Sequence, residues 1–238
     1  MKPPILSETD IEQRALDILA AYEQRTGKTI VLPVPIEKVS LQVLDLPVEY
    51  DVLPALPGDR AIVSKLRQPR FGLPATIVLN SDLTETLFSE SPGLENTAIA
   101  HEAGHGLFHL DRGRVQQLDL GFGTGDDFVS DAVNLDDPFT EVLGRRGPVG
   151  DDWWREWQAH TFMRYVLMPR RLLLPLIAEG GYRSWRGRNG LYELRDRCGV
   201  TISALIVHLH KLGIARVDQD RRIHDLASLA QGQYAFRA

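Results

Sequence analysis

From Ser7 to about Gln24, apolar residues return near helical spacing at Ile11, Leu16, Leu19 and Tyr22. Ser7 and Asp10 make a capping-box-like start and Gly27 a stop, so this stretch predicts a helix. The next segment, VLPVPIEKVSLQVLDLPVEYDVLPALPGD, holds no sustained period, and its prolines cut it into short helical and extended pieces. Ala61–Leu66 and Ala75–Leu79 are short β-branched runs separated by Pro69, Gly72 and Pro74, which predicts two strands of a small sheet. Ser91-Pro92 followed by Leu94, Ala98, Ile99, Leu107 and Leu110 predicts a second helix to about Leu110, with Gly113 beyond its end.

Residues 111–150 are rich in Gly and Asp and poorly periodic, apart from a short turn near Asp131–Asn134, and predict a long surface excursion. Asp152 is the expected cap of a further helix, anchored by Trp153, Trp154, Trp157, Phe162 and Tyr165 and ended by Met168-Pro169. Arg171–Ala178, Leu191–Arg197 and Ile202–Leu212 also read as helices. The pattern predicts an α+β protein with a small mixed sheet. Residues 1–169 would form the main domain, with 111–151 as its surface insertion, and 170–238 a helical C-terminal subdomain.

Composition narrows the chemistry. At 238 residues and 43% hydrophobic content, the chain can bury a real core. It has no apolar run long enough for a bilayer, and MKPPILSETDIEQR lacks the apolar centre of a signal peptide, so the expectation is a cytoplasmic protein with no membrane partner. The single cysteine, Cys198, excludes an internal disulfide and any multi-cysteine metal site, and its place at a helix end suits a small buried residue. The net charge of −5 is unevenly spread: 111–156 holds 11 acidic and 5 basic residues, whereas 164–222 holds 12 basic and 5 acidic. Both can be solvated faces, or the basic end can meet an acidic partner or nucleic acid.

The segment that carries chemistry is His101-Glu102-Ala103-Gly104-His105. Residues four apart on a helix sit one turn up and about 40° around, so both imidazoles face one point. That suits two of the three protein ligands of a catalytic zinc, with a position left for water and Glu102 placed as general base. With 7 histidines in the chain, an accidental match is expected about once in a hundred such sequences, and this one falls inside an independently predicted helix. His109 lies one turn further but about 12 Å along the axis from His101, too far to share one ion. It therefore reads as a residue behind the ligands or on the surface. The third ligand should come from a neighbouring element: Glu156 in the tryptophan-rich helix, His160 one turn on, or an aspartate of 111–150.

HEAGHGLFH followed by EWQAHTFMRYVLMP resembles the ImmA/IrrE family of metallopeptidases, in which H-E-x-x-H precedes E-x-x-A-N-x-F-A-x-x-L-L-M-P. Glu156, Ala159, Phe162, Leu167, Met168 and Pro169 fall in register, and the likeness extends over roughly residues 10–215 through PVPIEKVS and ATIVLN. The resemblance implies a zincin-like catalytic domain with Glu156 as third ligand and zinc as the ion, manganese being the alternative. It further implies endopeptidase action on a helix-turn-helix repressor that controls stress or mobile-element genes. His160 stands where the family has Asn or Asp, which opens a role at the metal or at a developing oxyanion. Glu95-Asn96-Thr97 replaces the usual Arg and Phe, and the 111–155 insert is long. LRDRCGVTISALIVHLHKLGI resembles the family's helix-turn-helix-like segment, and reads either as a plain helical pair or as a weak DNA contact; His208 and His210 on it carry no assigned role. The rival to the peptidase is a non-enzymatic regulator that keeps a metal and acts through its basic C-terminal half. A substrate aligned by strand addition would be expected along an edge strand such as Ala75–Asn80.

Overall fold

A computed structural model describes residues 5–54, 62–69, 73–83, 89, 93–110, 128–131, 150–184, 188–217 and 223–224. Helix α1 spans Glu8–Thr26. Ser7 Oγ accepts from the Asp10 backbone N–H, the Asp10 carboxylate accepts from the Ser7 N–H, and Gly27 closes the helix at φ 67°. Its apolar stripe, Ile11, Ala15, Leu19 and Tyr22, is buried. A short helix α2 (Ile36–Val39) runs into a π-helical turn (Ser40–Leu44), and the chain then enters β1 (Val48–Asp51). Strands β2 (Ile62–Arg67) and β3 (Thr76–Asn80) fall within a residue of the expected runs.

The structure is mixed α+β and mostly helical. Among the described residues its main sheet has four strands in the order β1-β3-β2-β4, with β1 parallel to β3 and the other pairings antiparallel. Strand β4 (Phe128–Asp131) comes from the stretch expected to be a surface excursion, so that expectation is corrected there: these residues pair Val129 with Lys65 and close one side of the sheet. The rest of that stretch, including most of the turn expected at Asp131–Asn134, lies outside the described residues. The placement of Ala75–Asn80 as an edge strand is also corrected, because β3 has a neighbour on each side.

Helix α3 (Leu94–Phe108) crosses the sheet, and α4 (Asp151–Leu167) packs against α3. Gly150, not Asp152, occupies the cap of α4; Asp151 and Asp152 sit in its first turn, where carboxylates complement the helix dipole. Helices α5 (Arg170–Ser184), α6 (Arg188–Cys198) and α7 (Ile202–Lys211) follow, with a two-stranded ribbon of β5 (Arg216–Val217) and β6 (Ile223–His224). Helix α5 continues through Pro175. Among the described residues no helix is long and apolar enough to cross a membrane.

One hydrophobic cluster joins Ile11 and Leu19 of α1 to Ile99 of α3, Phe162 of α4, and Leu194, Leu205 and Leu209 of the C-terminal helices. The core is therefore continuous across the boundary expected near residue 169. Polar contacts reinforce the joins. Tyr165 Oη donates to Glu8 Oε1 at 3.1 Å, and Arg170 and Arg171 pair with Glu12 and Glu23. The α6–α7 turn seats on the start of α3: Asn96 Nδ2 donates to the Gly199 carbonyl at 3.0 Å, and Thr97 Oγ1 accepts from the Thr201 N–H at 3.3 Å. Gly93, at φ 83°, lies so close to Val200 that a β-carbon there would stand 2.3 Å from a backbone atom. Ser203 through Leu209 are all buried, so α7 is a packing helix, with His210 and Lys211 outside that buried run.

Candidate metal centre

Helix α3 is apolar almost all round and buried from Thr97 to Gly106, which places His101, Glu102 and His105 inside the protein. Burying three such side chains is costly unless each finds a partner. His101 Nε2 and His105 Nε2 stand 3.1 Å apart, with rings edge-on at 4.7 Å between centroids. Glu156 of α4 sets Oε2 at 3.3 Å from His101 Nε2 and Oε1 at 3.4 Å from His105 Nε2. Two imidazole nitrogens this close, beside a carboxylate, must share a proton or a cation between them. The three side chains form a cluster that could hold a metal ion.

The approach of the helices is set by two small residues. A β-carbon on Gly104 would lie 2.9 Å from Ala159 Cα and 3.1 Å from its carbonyl oxygen. Gly104 sits between the two histidines of the cluster, and Ala159 follows Glu156 by three residues on the same face. Together they let α4 come close enough for Glu156 to reach the imidazoles. The floor of the cluster is closed, with His101 at 1% and His105 at 0% exposure, whereas the Glu156 side chain is 41% exposed, so access is from the Glu156 side. Burial alone would raise the Glu156 carboxyl. Hydrogen bonds and charge from His101 and His105 outweigh it and hold the group well below the carboxylate range.

Around the cluster the other expected residues take separate places. Glu102 is fully buried and accepts a hydrogen bond from Ser64 Oγ of β2 at 2.8 Å, which turns its carboxylate toward the sheet. His160 packs its ring 4.4 Å from that of His101, and burial pushes its pKa well below the usual imidazole value. It stands outside the three-residue cluster. His109 lies behind the cluster, with Nδ1 at 3.0 Å from His105 Nδ1 and Nε2 at 3.0 Å from Gln158 Oε1. Burial and the neighbouring His105 lower its pKa to about 4. The aspartates of 111–127 and 132–149 lie outside the described residues.

Ser64 and Gln158 are the site neighbours that sequence reasoning missed. Ser64 is one of three polar residues in the six-residue strand IVSKLR, and Gln158 is an interior residue of a motif that specifies only its flanks, so neither carries a pattern signal. Glu95-Asn96-Thr97 has a structural use: Glu95 hydrogen-bonds Tyr50 of β1, while Asn96 and Thr97 hold the α6–α7 turn. Cys198 is buried, and burial pushes its thiol up to about 12, which removes it as a nucleophile. No family model matches the chain, and no curated protein matches it.

Proposed function

We propose that this chain is a zinc-dependent endopeptidase with a zincin-like catalytic domain. The observation that carries the reading is the spacing of His101, His105 and Glu156. The two Nε2 atoms stand 3.1 Å apart, with Glu156 Oε2 3.3 Å from that of His101 and Oε1 3.4 Å from that of His105; donors at ~2.0–2.1 Å around a tetrahedral zinc ion stand about 3.3–3.4 Å apart. Two nitrogens and a carboxylate suit zinc well, with manganese the alternative. Three protein donors leave a place for substrate or water, as a catalytic rather than a structural site requires.

Bound there, zinc would supply Lewis acidity toward water and toward the scissile carbonyl oxygen. The protein's own groups do the rest. Glu102 accepts the proton of the attacking water and delivers it to the leaving amine as the C–N bond breaks. Ser64 fixes the rotamer of that carboxylate by donating to Oε1. His160, whose ring packs 4.4 Å from that of His101, would offer an N–H to the oxygen that gains charge. Strand β4, the outer strand on the β2 side of the sheet among the described residues, replaces β3 as the strand along which a peptide could add.

The resemblance to the ImmA/IrrE family suggests a helix-turn-helix repressor as substrate. The regulator reading is the weaker one, because the helix that would have to enter a DNA groove, α7, is buried from Ser203 to Leu209. Elemental analysis of the wild type and Glu156→Ala, purified side by side, tests the proposal. About one zinc per chain, lost or weakened in the variant, supports it. A wild type that takes up no zinc when supplied with it removes the proposal.

A further inference from the structure

The two histidine ligands are supported unequally. His101 Nδ1 is buried and has no hydrogen-bond partner among the described residues. His105 Nδ1 faces His109 Nδ1 at 3.0 Å, and His109 Nε2 faces Gln158 Oε1 at 3.0 Å. A ligand imidazole that gives its Nε2 lone pair to a cation must carry its proton on Nδ1. That proton then points at His109 Nδ1, which can accept it only if the His109 proton sits on Nε2. The Nε2 proton in turn meets a carbonyl oxygen, which accepts. Each donor along the chain finds an acceptor. In the opposite tautomer, with the His105 proton on Nε2, His109 would turn a bare Nε2 lone pair toward Gln158 Oε1, and the Gln158 amide would have to turn over to offer its NH2.

We infer that His109 and Gln158 are positioning residues that lock His105 in the tautomer whose Nε2 binds the metal. The inference rests on the metal reading above and extends it to residues outside the ligand set. Gln158 belongs to α4, so the relay also ties the helix that brings Glu156 to the helix that brings both histidines. Loss of such an outer partner typically weakens metal binding by 10–100-fold.

Zinc affinity would be measured by competition with a chromophoric chelator for the wild type, His109→Phe, His109→Asn and Gln158→Met. The metal-free melting midpoint would be recorded for each. His109→Phe keeps the ring volume and loses the acceptor, so affinity should fall about 10–100-fold at a nearly unchanged metal-free midpoint. His109→Asn places an amide oxygen near the lost Nδ1 and should recover much of that affinity. A role in packing alone would move the metal-free midpoint and would not separate Phe from Asn. Nitrogen-15 spectra of the zinc-loaded wild type should show the His105 proton on Nδ1. Gln158→Met, with a several-fold loss, carries the test should His109→Phe not fold. A wild type that binds zinc while His109→Phe binds within twofold of it overturns the relay alone; a His105 proton found on Nε2 takes that nitrogen out of the ligand set and overturns the ligand assignment and the relay together. A wild type that binds no zinc overturns the metal reading and the relay with it.

Discussion

Substituting Gly104 with alanine tests whether helix separation sets the metal site. On an isolated helix the change should stabilise by about 1 kcal/mol, because glycine is the poorer helix former. Here the new β-carbon would start 2.9 Å from Ala159 Cα and 3.1 Å from the Ala159 carbonyl oxygen. Carbon atoms in comfortable contact stand ~3.5–4.0 Å apart, so α3 and α4 must part locally by about 0.6–1 Å. The nearest atoms are backbone, and no rotamer change relieves them. Overpacking of this kind costs about 1–3 kcal/mol, which cancels or exceeds the propensity gain. The metal site should suffer more, since ligand positions tolerate only about 0.2 Å and Glu156 rides on the displaced helix. Zinc affinity should fall by at least about tenfold, equivalent to ~1.4 kcal/mol. Urea denaturation in chelator would report the metal-free stability, and chelator competition the affinity. A Gly104→Ala protein that gains about 1 kcal/mol and binds zinc as the wild type does would refute the reasoning.

Glu102→Gln should fold and keep its metal while losing peptide cleavage; normal turnover would remove Glu102 as the base. Ser64→Ala should leave zinc content unchanged and lower kcat by about tenfold through a misoriented base, whereas full activity would make the 2.8 Å contact incidental. His208 is fully buried with Nε2 at 2.9 Å from the Met168 carbonyl oxygen, and burial lowers its pKa to about 3 from an ordinary 6.5. The unfolded chain thus binds the extra proton first, so this residue's contribution is intact above pH 6.5 and is lost as pH falls from there toward 3. The slope is at most about 1.4 kcal/mol per pH unit. His208→Gln, which can still donate to that carbonyl, should show a shallower acid limb in denaturation curves at pH 4–6.5, and identical limbs would refute the assignment.

The parts legible in the sequence were those that repeat a local rule. Helix α1 could be read because Ser7, Asp10 and Gly27 mark both ends and its buried stripe keeps one period. His101, Glu102 and His105 could be read because a helix converts their spacing into a common direction. Strand β1 was not legible: VEYD is exposed along most of its length, and only its pairing with β3 makes it a strand. Strand β4 was hidden for a similar reason, since its register comes from β2 within a Gly- and Asp-rich stretch. Glu156 needed a resemblance to be singled out, because an approach between two helices leaves no periodic trace in either one. The contacts of Ser64 and Gln158 arise only after the sheet and helices have assembled around Glu102 and His109.

The seating of the α6–α7 turn on the first turn of α3 bears on how such a chain can evolve. Gly93 leaves no room for a β-carbon beside Val200, and Asn96 and Thr97 spend their side chains on Gly199 and Thr201. The C-terminal helices are therefore not an interchangeable cassette. A recombination event that exchanged them would leave the helix bearing both histidines with a vacant socket at its head. Change at either surface has to be matched by change at the other. In descendants of this chain, positions 93, 96 and 97 should thus drift together with 199–201, and independently of His101, His105 and Glu156.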